Sequence, residues 1–340
     1  MLFHFFIHVS YSMYRWLVFY ITSHDYEYDY FFKKVIPFLE KLRPTNVEVD
    51  VLLIGRINKS TIVKKIFLFN VTSDGLKTRK ISKKLTISAI VDDILSQKYR
   101  TYQSIMMCSH SNGIIIGSDG HSVIEVVDLY KLCKKYFTKS RKLDFLIFDC
   151  CYMGSLESLY EVSSLSNYIL ATPSYHIGHI AMLEFPEMYV YHEDKLPWLK
   201  SFVDWYIADA ASLAKKIDYA VQLVIYSAED IKTLAKFFIT STLYKQLQFN
   251  KESIIYWDDD NLYNIEMVLD YTLEQNEDLF IKIQFAQVLL KKTYLYFLNA
   301  PGDKRRSIKE CILSIHNGLP KYLPNVYNCK LKMFKKVYCS

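Results

Sequence analysis

Two cysteines stand side by side in FDCCYMGSLE (residues 148–157), and a histidine stands in MMCSHSNG (106–113). A thiolate is a strong nucleophile, and a nearby imidazole can serve as its general base or its ion-pair partner. Both stretches end apolar runs, SIMMCS (104–109) and LDFLIFDC (143–150), which read as buried strands. Side chains beyond the carboxyl ends of neighbouring parallel strands share one crevice. Between His110 and Cys151 lies one helical pattern, VIEVVDLYKLCKKY (123–136), enough for a single crossover, so the two tips can lie side by side. Cys150 closes its strand and Cys151 opens the turn, where the positive end of the following helix favours thiolate. Phase prefers Cys151; spacing alone leaves both in play. Cys108 and Cys133, inside a strand and a helix, read as small buried hydrophobes.

The elements that must position these residues alternate along the first two-thirds of the chain. WLVFYIT (16–22), VEVDVLLIG (47–55), TIVKKIFLFNV (61–71), YILAT (168–172) and AVQLVIYS (220–227) join the two runs above as strands. YFFKKVIPFLEKL (30–42) and ISAIVDDILSQKY (87–99) carry helical spacing, the first with a kink expected at Pro37, and a helix is expected from Ser155. The Lys-rich stretch 72–86 reads as a polar loop. This pattern predicts an α/β/α sandwich on a mainly parallel sheet. Beyond 228, long amphipathic helices are expected at 229–248, 262–275 and 278–298, and CILSIHNGLPKYLP (311–324) reads as a strand returning to the sheet. The chain then forms one unit from 13 to 340, with its α/β core at 13–227 and a helical elaboration at 228–310.

Composition narrows the function. The formal charge is +6 in 340 residues, and Lys and Arg are dispersed in small knots, which argues against a nucleic-acid groove. Seven cysteines, an odd number with no CxxC pair, argue against a metal site or a disulfide framework and point to a reducing, cytoplasmic setting. The apolar start, MLFHFFIHVSYSMYRWLVFYIT, is interrupted by His4, His8 and Arg15 and falls short of a membrane span.

HSNG, followed by LDFLIFDCCYMGSLESLYEVSSLSNYILAT, resembles the clostripain family of cysteine peptidases, relatives of caspases and gingipains. In that family a His-Gly-x-Gly turn precedes a strand ending Asp-x-Cys-x-Met-Gly, a helix with a glutamate, and another strand. Asp149, Cys151, Met153, Gly154 and Glu157 fall on the pattern, so the resemblance selects the second cysteine and leaves Cys150 at the variable position. RWLVFYITSHDYEYDYFFKKVIPFLEKL is similar to the family's opening strand, acidic turn and first helix, and NGLPKYLP to its closing strand. The resemblance implies a caspase-like fold and a cysteine endopeptidase acting on polypeptides through a dyad. Cys151 would be the nucleophile and His110 the proton carrier, with the backbone N–H groups of Cys151 and Ser111 facing the oxyanion. It also implies selection of Arg or Lys before the cut bond by acids including Asp149.

Three departures from the pattern bear on activity. Ser111 stands where the family has glycine, a strained choice if that position needs a positive φ. TPSYHIG (172–178) replaces a usual acidic pair, and neither Glu184 nor Glu187 is assigned in its stead. The family's calcium dependence finds no EF-hand-like loop here, and WDDDN (257–261) reads as a helix cap, so no metal or other cofactor is assigned. The rival reading is a catalytically weakened homologue that binds peptides or proteins; a generic α/β domain with structural or redox cysteines is a second rival.

Overall fold

The computed structural model describes residues 14–22, 25–43, 47–56, 64–81, 87–96, 102–116, 124–173, 195–217, 221–250, 262–300 and 313–316, with 252, 254, 311, 331–333 and 336. The first elements are β1 (Tyr14–Ile21), α1 (Asp25–Tyr30), a π-helical turn (Phe31–Val35), α2 (Ile36–Lys41), β2 (Val47–Arg56), β3 (Lys64–Thr72) and β4 (Gly75–Ile81). Then come α3 (Ile87–Ser96), β5 (Ser104–Cys108), β6 (Ile115–Ile116), β7 (Ile124–Glu125), α4 (Val126–Cys133), β8 (Leu143–Asp149), α5 (Leu156–Val162) and β9 (Ser166–Ala171). The remainder is α6 (Lys195–Ile217), β10 (Val221–Ser227), α7 (Ala228–Thr240), α8 (Leu243–Gln246), β11 (Leu262–Asn264), α9 (Ile265–Gln275), α10 (Phe280–Thr293), β12 (Tyr294–Ala300) and β13 (Ser314–His316).

Nine strands form one sheet in the order β12-β10-β9-β8-β5-β1-β2-β3-β4. The central five, β9-β8-β5-β1-β2, are parallel, and their residues are buried on both faces, as the continuous apolar runs require. One face packs against α3, α4, α5, α7, α9 and α10, the other against the π turn, α2 and α6. This is the expected three-layer sandwich.

The flanks depart from expectation. β10 runs antiparallel to β9, and Tyr294–Ala300, expected as the end of a helix, is β12, antiparallel on β10. Its aromatic and β-forming residues can satisfy backbone groups only on that open edge. The expected loop at 72–86 contains β4, hairpinned onto β3 through Gly75 at φ 110°. β4 carries exposed Lys77, Arg79 and Lys80, and such charges blunt a sheet edge. The strand expected to return at 311–324 does not join the large sheet. β13 pairs with β11 in a separate two-stranded sheet, while 317–324 lies outside the described residues. At Pro37 the helix shifts register: the Ile36 N–H donates to the Phe31 carbonyl, five residues back, because proline supplies no N–H to the next bond of a regular helix.

Candidate active site

β1 is followed in sequence by β2 on one side, while β5 lies on its other side, so the strand order reverses at β1 and opens a crevice beyond the β1 and β5 tips. Three tips meet there. The Ser109 hydroxyl donates to the Ile21 carbonyl at 3.0 Å and the Ser109 N–H to the Asp149 carbonyl at 3.2 Å, fastening β1, β5 and β8.

His110 follows this fastening and is 45% exposed at its side chain. It hydrogen-bonds Cys151, and its Nε2 pairs with Glu27 Oε1 from α1. The two bonds, Cys151 first and Glu27 next, push its pKa up to about 10 against the opposing pull of partial burial. The structure thus brings together the predicted His110 and Cys151, and adds a carboxylate that motif reasoning passed over. Glu27 sits in an acidic run, DYEYDY, where nothing local marks one acid as facing the site.

Ser111 is not strained. Positive φ in this turn falls on Gly113, at 92°, and Ser111 is not among the non-glycine residues with positive φ. Its buried hydroxyl accepts the Gly113 N–H at 3.0 Å and donates to Met153 Sδ at 3.0 Å, tying the histidine turn to the cysteine turn. Ser158 of α5 donates to the Gly113 carbonyl and pins the same turn from below.

The two cysteines part at the end of β8. Cys150 turns into the core, its thiol donating to the Met107 carbonyl at 3.2 Å, and burial pushes its pKa well up. Cys151 opens the turn, followed by Tyr152 at φ 58° and by Gly154. Two expectations need correction here. Cys151 is 6% exposed rather than open, packed with Tyr152 and Leu262 of β11. And α5 begins only at Leu156, so residues 152–155 separate Cys151 from the helix N-terminus, whose dipole fades within a turn, and the side chain that bonds Cys151 is His110.

Asp149 points to the opposite face of the sheet from Cys150. Strand register sets Tyr20, Cys108 and Asp149 in one row across β1, β5 and β8. Asp149 is buried, bonded by the Cys108 thiol, and lies near Tyr206 of α6, whose hydroxyl burial holds neutral. Glu157 proves structural: fully buried on α5, it accepts from the Tyr244 hydroxyl of α8 at 2.6 Å. Residues 174–178, Glu184, Glu187 and 257–261 lie outside the described residues. Among the described residues no group of three or more His, Cys, Asp or Glu could hold a metal ion.

The clostripain family model matches residues 112–291, more than half of the chain. The chain belongs to the clostripain family. It is accordingly a cysteine-type endopeptidase by membership. Solved structures show the same caspase-like fold. A secreted C11 cysteine protease from Bacteroides thetaiotaomicron is 12% identical with a TM-score of 0.70, covering 96% of this chain and 99% of that one. Its complex with an irreversible peptide inhibitor gives 12%, 0.66, 96% and 99%. An inactive zymogen C11 protease from Parabacteroides distasonis is 17% identical with a TM-score of 0.64, covering 95% and 98%. No curated protein matches in sequence.

The secreted clostripain-family structures overturn the cytoplasmic setting expected from cysteine usage. Cys108, Cys133, Cys150, Cys151 and Cys311 are in no disulfide and are all buried, so these thiols are shielded from oxidants and do not require a reducing compartment. Among the described residues no helix is long and apolar enough to cross a membrane.

Proposed function

We propose that this clostripain-family chain cleaves polypeptides through a Cys151–His110 dyad with a preference for basic residues before the cut bond. The observation that carries it is the hydrogen bond between His110 and Cys151 at the ends of adjacent parallel strands. The Cys151 thiolate attacks the scissile carbonyl carbon, and backbone N–H groups of Cys151 and Ser111 face the oxyanion. The C–N bond breaks as the His110 imidazolium gives its proton to the leaving amine. The neutral ring then takes a proton from water, whose hydroxide attacks the thioester and releases the acid and the thiolate.

The basic preference would rest on Asp149, which shares a row with Tyr20 and Cys108, buried and bonded by the Cys108 thiol. A single carboxylate so buried and already bonded should favour Lys and Arg only mildly over neutral residues, because desolvating the pair offsets much of its attraction. A peptide-library profile tests this; strict preference for an acidic or a large apolar residue would refute it. Labelling by an electrophilic peptide should fall strongly in His110→Ala while the protein stays folded, and undiminished labelling would remove His110 from the reaction.

One observation favours a second reading, in which the chain as it stands is latent: Cys151 is covered by Tyr152 and Leu262. The similar protein from Parabacteroides distasonis was solved as an inactive zymogen. A latent form should react with iodoacetamide but not with a peptide electrophile until limited proteolysis. Equal reaction with both from the outset would dismiss latency.

A further inference from the structure

The proposed dyad leaves the histidine with a mechanical problem. Its ring is 45% exposed, follows a strand end, and must present one nitrogen to Cys151 through two proton transfers. A ring so placed rotates unless its other nitrogen is held. Glu27 Oε1 meets His110 Nε2 from across the crevice, and the Glu27 side chain is only 16% exposed, which separates this pair from the exposed ion pairs elsewhere on the surface, such as Lys33–Asp29.

The contact is built into the fold on both sides. On the histidine side, the Ser109 bond to Ile21 fixes the β5 tip to the β1 tip. On the glutamate side, α1 runs straight into the π turn, whose Phe31 and Val35 are fully buried. Phe31 also packs on the Tyr20 ring at 4.7 Å between centroids, which ties the helix that carries Glu27 to the strand it follows. Among the described residues, the charged or titratable groups acting on His110 are Glu27 from α1 and Cys151 from the β8 turn. Behind them, Tyr20 of β1 faces Glu27, Tyr30, Cys108 and Asp149, and burial keeps its hydroxyl neutral.

We propose that Glu27 is the positioning residue of this active site, holding His110 by Nε2 so that Nδ1 exchanges the proton with Cys151 and the leaving amine. The proposal rests on the peptidase reading above. Glu27 stays a carboxylate throughout: it moves no proton and forms no bond, but stabilises the imidazolium that precedes expulsion of the amine. Removing its charge lowers the His110 pKa, because an opposite charge at contact favours the protonated ring. The amine then loses its proton donor at a lower pH.

The test uses the full chain, Cys151 labelling by iodoacetamide, and hydrolysis of a fluorogenic lysyl or arginyl peptide amide across pH. In wild type the alkaline limb of kcat/KM should lie near pH 10, following His110. In Glu27→Gln the limb should move down by about one pH unit or more. kcat should drop on the order of tenfold to hundredfold, from misorientation of the ring, with KM little changed. Glu27→Asp, which keeps the charge, should recover part of the limb and less of kcat. An active wild type whose limb and kcat are indifferent to Glu27→Gln, in a variant with unchanged thermal melting, overturns the role of Glu27 alone. A folded wild type unlabelled at Cys151, before and after limited proteolysis, overturns the peptidase reading and the role of Glu27 with it.

Discussion

The His110 ring is the residue on which the site's charge state turns. Its pKa in the folded chain, about 10, stands above the ordinary 6.5. The pair therefore contributes stability that is fully present below pH 6.5 and is lost as pH rises through about 10. The contribution is modest because solvent reaches nearly half of the ring. We expect the His110 ring resonances to titrate well above neutral pH, and to titrate lower in Cys151→Ala. A midpoint between 6 and 7 in the intact protein would contradict the assigned contacts. Ser111 gives a second expectation. Its hydroxyl bridges the Gly113 N–H and Met153, so Ser111→Ala leaves a buried donor unpaired and should cost about 1–2 kcal/mol in denaturant unfolding. Ser111→Gly should cost no less, since it removes the same hydroxyl and adds backbone freedom. His110 and the Cys150–Cys151 pair stood out in the sequence because each ends a buried strand, while the choice of Cys151 came from the family resemblance. Glu27 did not stand out. Its partner is remote in the chain, and Asp25, Glu27 and Asp29 look alike until the helix is phased against the sheet.

At the scale of elements, the cysteine turn is wedged between the sheet and the small β11–β13 pair. The Gly154 N–H donates to the Thr172 carbonyl at 2.7 Å, and its own carbonyl accepts from the Ser314 N–H at 3.0 Å and the Ser314 hydroxyl at 3.2 Å. A Cβ at Gly154 would lie 2.6 Å from both the Pro173 nitrogen and the Tyr226 hydroxyl. Backbone cannot yield there, so Gly154→Ala should destabilise by about 1–3 kcal/mol and lower Cys151 labelling. A variant of wild-type stability and reactivity would show that this turn does not need the close approach. The central strands could be read from apolar runs because burial on both faces leaves an unbroken signal. β4 and β12 could not: charges on one edge and a helix-like approach on the other hide the period of two. β13 was visible as a strand, but its partner was not, since pairing is a long-range choice that local pattern does not carry.

At the scale of the molecule, chain that follows the α/β core reaches back over Cys151. Leu262, the first residue of β11, packs on Cys151 and Tyr152. Leu262→Ala should uncover the sulfur and speed its alkylation by iodoacetamide, while costing about 2 kcal/mol or more through the lost burial. An unchanged alkylation rate would mean that the leucine does not guard the site.

The central claim is that Cys151, and not its neighbour, is the nucleophile of a dyad with His110. The most direct measurement is covalent labelling by an electrophilic peptide ending in lysine or arginine, after limited proteolysis, in Cys151→Ala and Cys150→Ala. Cys150 faces the core and bonds the Met107 carbonyl, whereas Cys151 opens the turn and bonds His110. Labelling should vanish in Cys151→Ala and persist for the most part in Cys150→Ala. Equal loss in both, with folding intact, would contradict the account.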